Sequence, residues 1–241
     1  MDETLTAQDR PPDYVSAGST DVGRLRPTNQ DAFVELNEVG VWAVADGMGG
    51  YRDGDVASRM VCQGLQRLSP QGSLDEAISV VRQRMSDVNR RLYEASVRAI
   101  NPIVSGSTVV VMVVRGEDCA LLWAGDSRVY RWRQGQLTQL TTDHTWAAEL
   151  NLQHADEEAD HAITRAVGGE STLTLDIRKD KVRVGDRYLL CSDGLTRELN
   201  EAQIAAGLAA ADVQTSARML IEATLQAGAR DNVTVVVVEA R

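Results

Sequence analysis

Aromatic side chains are scarce in this 241-residue chain, which has one Phe, four Trp and five Tyr. Any core must therefore be filled by Val, Leu, Ile, Ala and Met. Cysteine is rare as well. Cys62, Cys119 and Cys191 lie far apart in apolar runs and form no Cys-x-x-Cys pair. That excludes a disulfide framework and makes each a small buried hydrophobe. The three histidines, His144, His154 and His161, form no His-x-x-x-His pair of the zinc type. Long apolar runs are missing too: Val109–Val114 and Val235–Val238 fall well short of the ~18–20 residues that span a bilayer. Met1–Arg10 carry neither the basic nor the apolar segment of a secretory leader. Together these absences predict a soluble, cytoplasmic protein with no membrane partner. Basic charge is in deficit, 25 Lys and Arg against 35 Asp and Glu, for a net −10. Such a balance argues against a nucleic-acid backbone as partner, although an acidic chain can collect cations.

What is present suffices for a folded core. Hydrophobic residues make up 43% of the chain, which excludes general disorder, and the length suits one large domain or two small ones. Residues 1–13 read as a polar arm that ends near Pro11-Pro12. Strand patterns follow at Tyr14–Ser19, Ala32–Leu36, Val41–Ala45, Ser107–Arg115, Ala120–Ala124, Arg128–Trp132, Arg187–Cys191 and Asn232–Glu239. Helical spacing marks Val56 to Leu68, Leu74 to Ala99 and Val213 to Leu225, with Ser73 and Glu76 as a capping box before the second. That second stripe fits one face packed on a sheet better than a coiled-coil seam. Strands and helices cluster rather than alternate, so the predicted class is α+β.

Four aspartates sit in similar places. Apolar runs lead into Asp46-Gly47, Asp126-Ser127 and Asp193-Gly194, and Asp231-Asn232 opens the last Val-rich run. Asp-Gly after a strand can be a plain turn, because glycine tolerates positive φ. Four carboxylates at strand lips, however, repel one another and lose solvation unless a cation compensates them. Oxygen-only ligands of this kind suit Mg²⁺ or Mn²⁺ rather than zinc. Near the N-terminus, Arg26 stands close to Asn29-Gln30-Asp31. It reads either as one half of a surface ion pair or as a bidentate grip on a phosphate.

In order along the chain stand Arg-Pro-Thr-Asn-Gln-Asp (26–31), Asp-Gly-Met-Gly-Gly (46–50), Ser-Gly-Ser-Thr (105–108) and Gly-Asp-Ser-Arg (125–128). After them come Asp-His-Thr (143–145), Ile-Thr-Arg-Ala-Val-Gly (163–168), Ser-Asp-Gly-Leu-Thr (192–196) and Asp-Asn-Val-Thr (231–234). Each block is weak alone, but the ordered set resembles the type 2C metal-dependent Ser/Thr protein phosphatases (the PPM family) in their compact bacterial form. The resemblance implies a central antiparallel β-sandwich flanked by helices on both sides, in four α/β/β/α layers. It implies one phosphatase domain over 14–241, with a flap at about 145–162. It also implies two Mn²⁺ or Mg²⁺ ions and a third, weaker one. Asp46 would bridge two metals, the Gly47 carbonyl would serve the second, Asp193 and Asp231 would hold the first, and Asp126 with Asp193 the third. Asp31 would orient metal-bound water and Arg26 would bind the substrate phosphate. A metal-activated water would then attack phosphorus directly, with no phosphoenzyme. The partners implied are phosphoserine and phosphothreonine proteins and a cognate Ser/Thr kinase, with the phosphatase acting as a monomer.

Three positions depart from the family pattern. Gln30 stands where many members have Glu. Met48 stands where many eukaryotic members place a His proposed as general acid, and Tyr51 where many bacterial ones have His. The proton donor is thus unassigned, with Tyr51, His144, His161 or a metal-bound water as candidates, and both histidines read more simply as structural hydrogen-bond partners. Two other functions compete with hydrolysis. A pseudophosphatase or phosphoprotein-binding module would be expected to lose metal carboxylates, yet all four persist. The regulatory branch that acts on anti-sigma-type switch proteins is disfavoured by Arg26 and the Thr-Arg-Ala-Val-Gly block.

Overall fold

Valine- and leucine-rich runs buried on both faces lay down two antiparallel sheets in the computed structural model, which describes residues 13–48, 50–66, 68, 72–98, 105–150 and 162–241. The strands are β1 (Tyr14–Asp21), β2 (Asp31–Leu36), β3 (Val41–Met48), β4 (Gly106–Ser107), β5 (Val109–Arg115), β6 (Asp118–Ala124), β7 (Arg128–Arg133), β8 (Gln136–Gln139), β9 (Asp176–Lys181), β10 (Arg187–Cys191) and β11 (Val233–Ala240). The helices are α1 (Gly50–Gln66), α2 (Leu74–Arg98), α3 (Trp146–Glu149), α4 (Asp193–Thr196), α5 (Glu201–Leu208) and α6 (Val213–Ala227). One sheet runs β1-β11-β10-β7-β8. The other runs β2-β3-β5-β6-β9, with β4 added on β3.

Alternation along each strand sets the layers. Val110, Met112 and Val114 of β5 meet Trp42, Tyr188, Leu190, Val236 and Val238 between the sheets. Val109, Val111 and Val113 face the other way, onto Val61 and Leu65 of α1 and Ile78, Val81 and Met85 of α2. On the far side, Leu189, Cys191, Val235 and Val237 pack against Ile204 and Leu208 of α5 and Leu220 of α6. The result is the expected α+β sandwich of helix, sheet, sheet and helix. Strands covered on both faces are continuously apolar, which is why they stand out in the sequence as runs of valine.

Every predicted strand is present, most with ends shifted by a few residues. The run 107–115 divides at Thr108, whose N–H donates to Asp46 O at 2.8 Å. The polar edge strands β8 and β9 carry no apolar run, as water-facing edges commonly do not. The short helices α3, α4 and α5 were likewise not expected. In α2 the apolar stripe packs on α1 and on β5 and β6 rather than forming a coiled-coil seam. Its capping box is formed: Ser73 N donates to Glu76 Oε2 at 2.7 Å and Glu76 N to Ser73 Oγ at 3.3 Å. All three cysteines are buried and free.

Residues 1–12 of the arm and 151–161 of the expected flap lie outside the described residues, as does Ala99. The two ends of the expected flap segment are pinned together: Thr145 bridges to Ile163, and Trp146 N donates to Ala162 O at 3.0 Å. Among the described residues, no helix is long and apolar enough to cross a membrane.

Candidate active site

Antiparallel pairing brings distant aspartates to one end of the sandwich. Asp31 opens β2 directly opposite Asp46 near the end of β3. In the second sheet Cys191 pairs with Val235, so Asp193 just after β10 and Asp231 just before β11 emerge at the same end. Asp126 sits in the tight β6–β7 turn. Asp46, Gly47, Asp193, Asp231 and Gln30 line a cleft of about 410 Å³, together with Arg26, Thr108, Ile163, Arg197 and Asn232.

Hydroxyl and amide groups hold these residues in place. Ser192 Oγ donates to Asp31 Oδ2 at 2.7 Å and accepts from Thr234 N at 3.0 Å, which ties β2 to the end of β10. Asp46 N donates to Thr108 Oγ1 at 3.0 Å, and that hydroxyl lies 2.7 Å from Ser127 Oγ, beside Asp126. Asn232 accepts from Gln30 N at 2.8 Å while its amide donates to Val22 O and Thr28 O, fixing the loop that carries Arg26.

The glycines of the two Asp-Gly pairs are not turn glycines. Gly47 lies within β3 and Gly194 within α4, and neither has a positive φ. What requires glycine is close approach. A Cβ on Gly47 would stand 2.0 Å from Gly54 O, and one on Gly194 would stand 1.9 Å from Asn232 O. The missing side chains let α1 and β11 press against the backbone beside each aspartate.

Gathering these acids at buried strand ends raises their proton affinity. Burial, opposed in part by the Ser192 and Thr234 hydrogen bonds, pushes Asp31 up to about 7. Burial and the nearby Asp193 carry Asp126 to about 8. Asp46 is held well above the ordinary carboxylate range by burial and by Asp31, Asp193, Asp126 and Asp231 around it. Two buried carboxylate oxygens, Asp31 Oδ1 and Asp126 Oδ1, have no hydrogen-bond partner.

Guanidinium groups supply the positive charge in this arrangement. Arg26 makes a bidentate pair with Asp231, both contacts at 2.7 Å. Arg197 pairs with Asp193 and reaches Asp231 Oδ2 at 3.5 Å. Among the described residues, no three His, Cys, Asp or Glu side chains close around a single point, and the two arginines engage the carboxylates instead. The donor set still fits hard divalent cations. It is all oxygen, it concentrates negative charge, and its orphaned buried oxygens call for a cation.

The remaining sequence candidates fare differently. His144 is buried outside the cleft lining, its Nδ1 accepting from Gly125 N at 3.1 Å, its Nε2 3.4 Å from Asp176 and its ring stacked on Trp123. Burial and the neighbouring Arg165 lower its pKa. It therefore clamps the turn that carries Asp126. His161 lies outside the described residues, and so does the side chain of Tyr51. Sequence reasoning passed over Arg197, Ser192, Thr108 and Asn232. Arg197 had a legible signal, a basic residue four positions after Asp193, whereas Ser192 and Thr108 become visible only once the sheets are assembled.

Residues 26–231 match the protein phosphatase 2C family. The serine/threonine protein phosphatase PstP of Mycobacterium tuberculosis is 34% identical over 92% of the chain, which spans only 44% of that longer protein. Among solved structures, PppA, described as a key regulatory component of T6SS in Pseudomonas aeruginosa, has a TM-score of 0.90 at 38% identity, covering 96% of this chain and 99% of that one. The catalytic domain of PstP, solved with two manganese ions, has a TM-score of 0.85 at 33% identity, covering 94% and 98%. The layered sandwich, the ordered motif blocks and these likenesses agree, and the chain belongs to the protein phosphatase 2C family.

Proposed function

We propose that the chain is a metal-dependent Ser/Thr phosphoprotein phosphatase that reverses the action of a bacterial Ser/Thr protein kinase. The observation that carries this reading is the convergence of Asp46, Asp193 and Asp231, from both sheets, on one cleft that also holds two arginines. Residues 14–241 would form the catalytic unit, with 145–162 as its flap. PppA's regulatory role favours a regulatory setting for this chain as well.

Bound at the cluster, two Mn²⁺ or Mg²⁺ ions would supply Lewis-acid charge and water activated near neutral pH. Asp46, the Gly47 carbonyl, Asp193 and Asp231 would hold them, with Asp126 available to a third. Asp31, held by Ser192, would accept a hydrogen bond from the attacking water and orient it. Arg26 would exchange its fork on Asp231 for the substrate phosphate, to which the same two parallel N–H groups are matched. In the reaction the water oxygen bonds to phosphorus, the ester P–O bond breaks, and the Ser or Thr oxygen leaves with a proton.

The retained carboxylates weigh against a pseudophosphatase. The retained Arg26 and Thr-Arg-Ala-Val-Gly block weigh against the regulatory branch. Hydrolysis of a phosphothreonine peptide tests the reading. We expect turnover with Mn²⁺, none in EDTA, and a loss of about 10²-fold or more in Asp193→Asn. Turnover in EDTA, or full activity in the variant, would overturn it.

A further inference from the structure

We propose that Arg197 is a tethered counter-ion whose guanidinium competes with divalent cations for Asp193 and Asp231, and so sets the cation concentration at which the site loads. The inference rests on the two-cation reading above. Arg197 pairs through Nη2 with Asp193 Oδ2 and through Nη1, at 3.5 Å, with Asp231 Oδ2. The two carboxylates proposed to share the first cation are therefore bridged by a positive charge that belongs to the chain. This charge cannot diffuse away. Arg197 N donates to Asp193 O at 2.9 Å, so α4 holds the guanidinium one turn from the carboxylate it neutralises.

A second observation points to a bridge that can be displaced. Arg197 Nε is buried with no hydrogen-bond partner, and an unsatisfied buried donor weakens the arrangement that creates it. The bridge thus leaves one donor to be satisfied elsewhere. Arg26 differs, because its half-exposed side chain engages Asp231 alone. Cation and guanidinium cannot occupy the same carboxylate oxygens, so each lowers the apparent affinity of the other. Replacing Arg197 with a neutral side chain should make the site easier to load and less stable when stripped of metal.

Calorimetric titration of MnCl₂ into the full chain, alongside thermal melts in EDTA, tests this. Arg197→Gln should bind Mn²⁺ about three- to tenfold more tightly than the wild type and melt lower in EDTA. Arg197→Lys keeps the charge but loses the fork and should fall between the two. Equal or weaker Mn²⁺ binding by Arg197→Gln would overturn the inference and leave Arg197 as a support for Asp193. If that variant does not fold without metal, Arg197→Lys decides, with equal or weaker binding again contradicting the proposal. A wild type that takes up no Mn²⁺ would overturn the two-cation reading and this inference with it. Wild-type binding with unchanged variant affinity would overturn this inference alone.

Discussion

At the scale of single residues, the site is a set of carboxylates kept where carboxylates are uncomfortable. Asp31 and Asp126, near 7 and 8, titrate well above the ~3.9 of an unperturbed aspartate. Between about pH 4 and pH 8 these two carboxyls hold more protons in the folded protein than in the unfolded chain, so their contribution to metal-free stability falls as pH rises through that window. In Asp126→Asn one of these groups is gone, so the melting temperature in EDTA should fall less steeply between pH 5 and pH 8.5 than in the wild type. Parallel curves would show that Asp126 is not held protonated. The aspartates were legible in the sequence as a set, because four carboxylates at the lips of apolar strands repel one another and lose solvation unless a cation compensates them. The place of Arg197 four residues after Asp193 is legible too, but its reach to Asp231, 34 residues away in sequence, exists only through the β10–β11 pairing.

At the scale of elements, the aspartates are placed by backbone packing that the motif alone misdescribes. Asp-Gly suggests a turn, yet Gly47 continues β3 and is needed because α1 approaches at Gly54. Gly47→Ala should destabilise the protein by about 1–3 kcal/mol in chemical denaturation, the usual cost of overpacking a tight contact. An unchanged midpoint would mean that α1 can retreat freely from the strand. Central strands were legible because burial on both faces leaves valine runs. The polar edges β8 and β9 were not, since a strand that faces water needs no apolar run. α4 is a single turn, too short for periodicity to appear.

At the scale of the whole molecule, the net charge of −10 has a partly local origin. Two sheets converge on a few acids, and a cluster of this kind draws cations. The sandwich was legible as a class from clustered strands and helices, while its four-layer order came from the family resemblance rather than from periodicity. On the proposed reading, Asp46 would help to hold two cations at this end of the sandwich. Mn²⁺ stoichiometry in wild type and Asp46→Asn, read by equilibrium dialysis with metal analysis, tests it most directly. At least two ions per wild-type chain and loss of both sites in Asp46→Asn are expected. Absence of saturable binding in the wild type, or an unchanged stoichiometry in the variant, would contradict it.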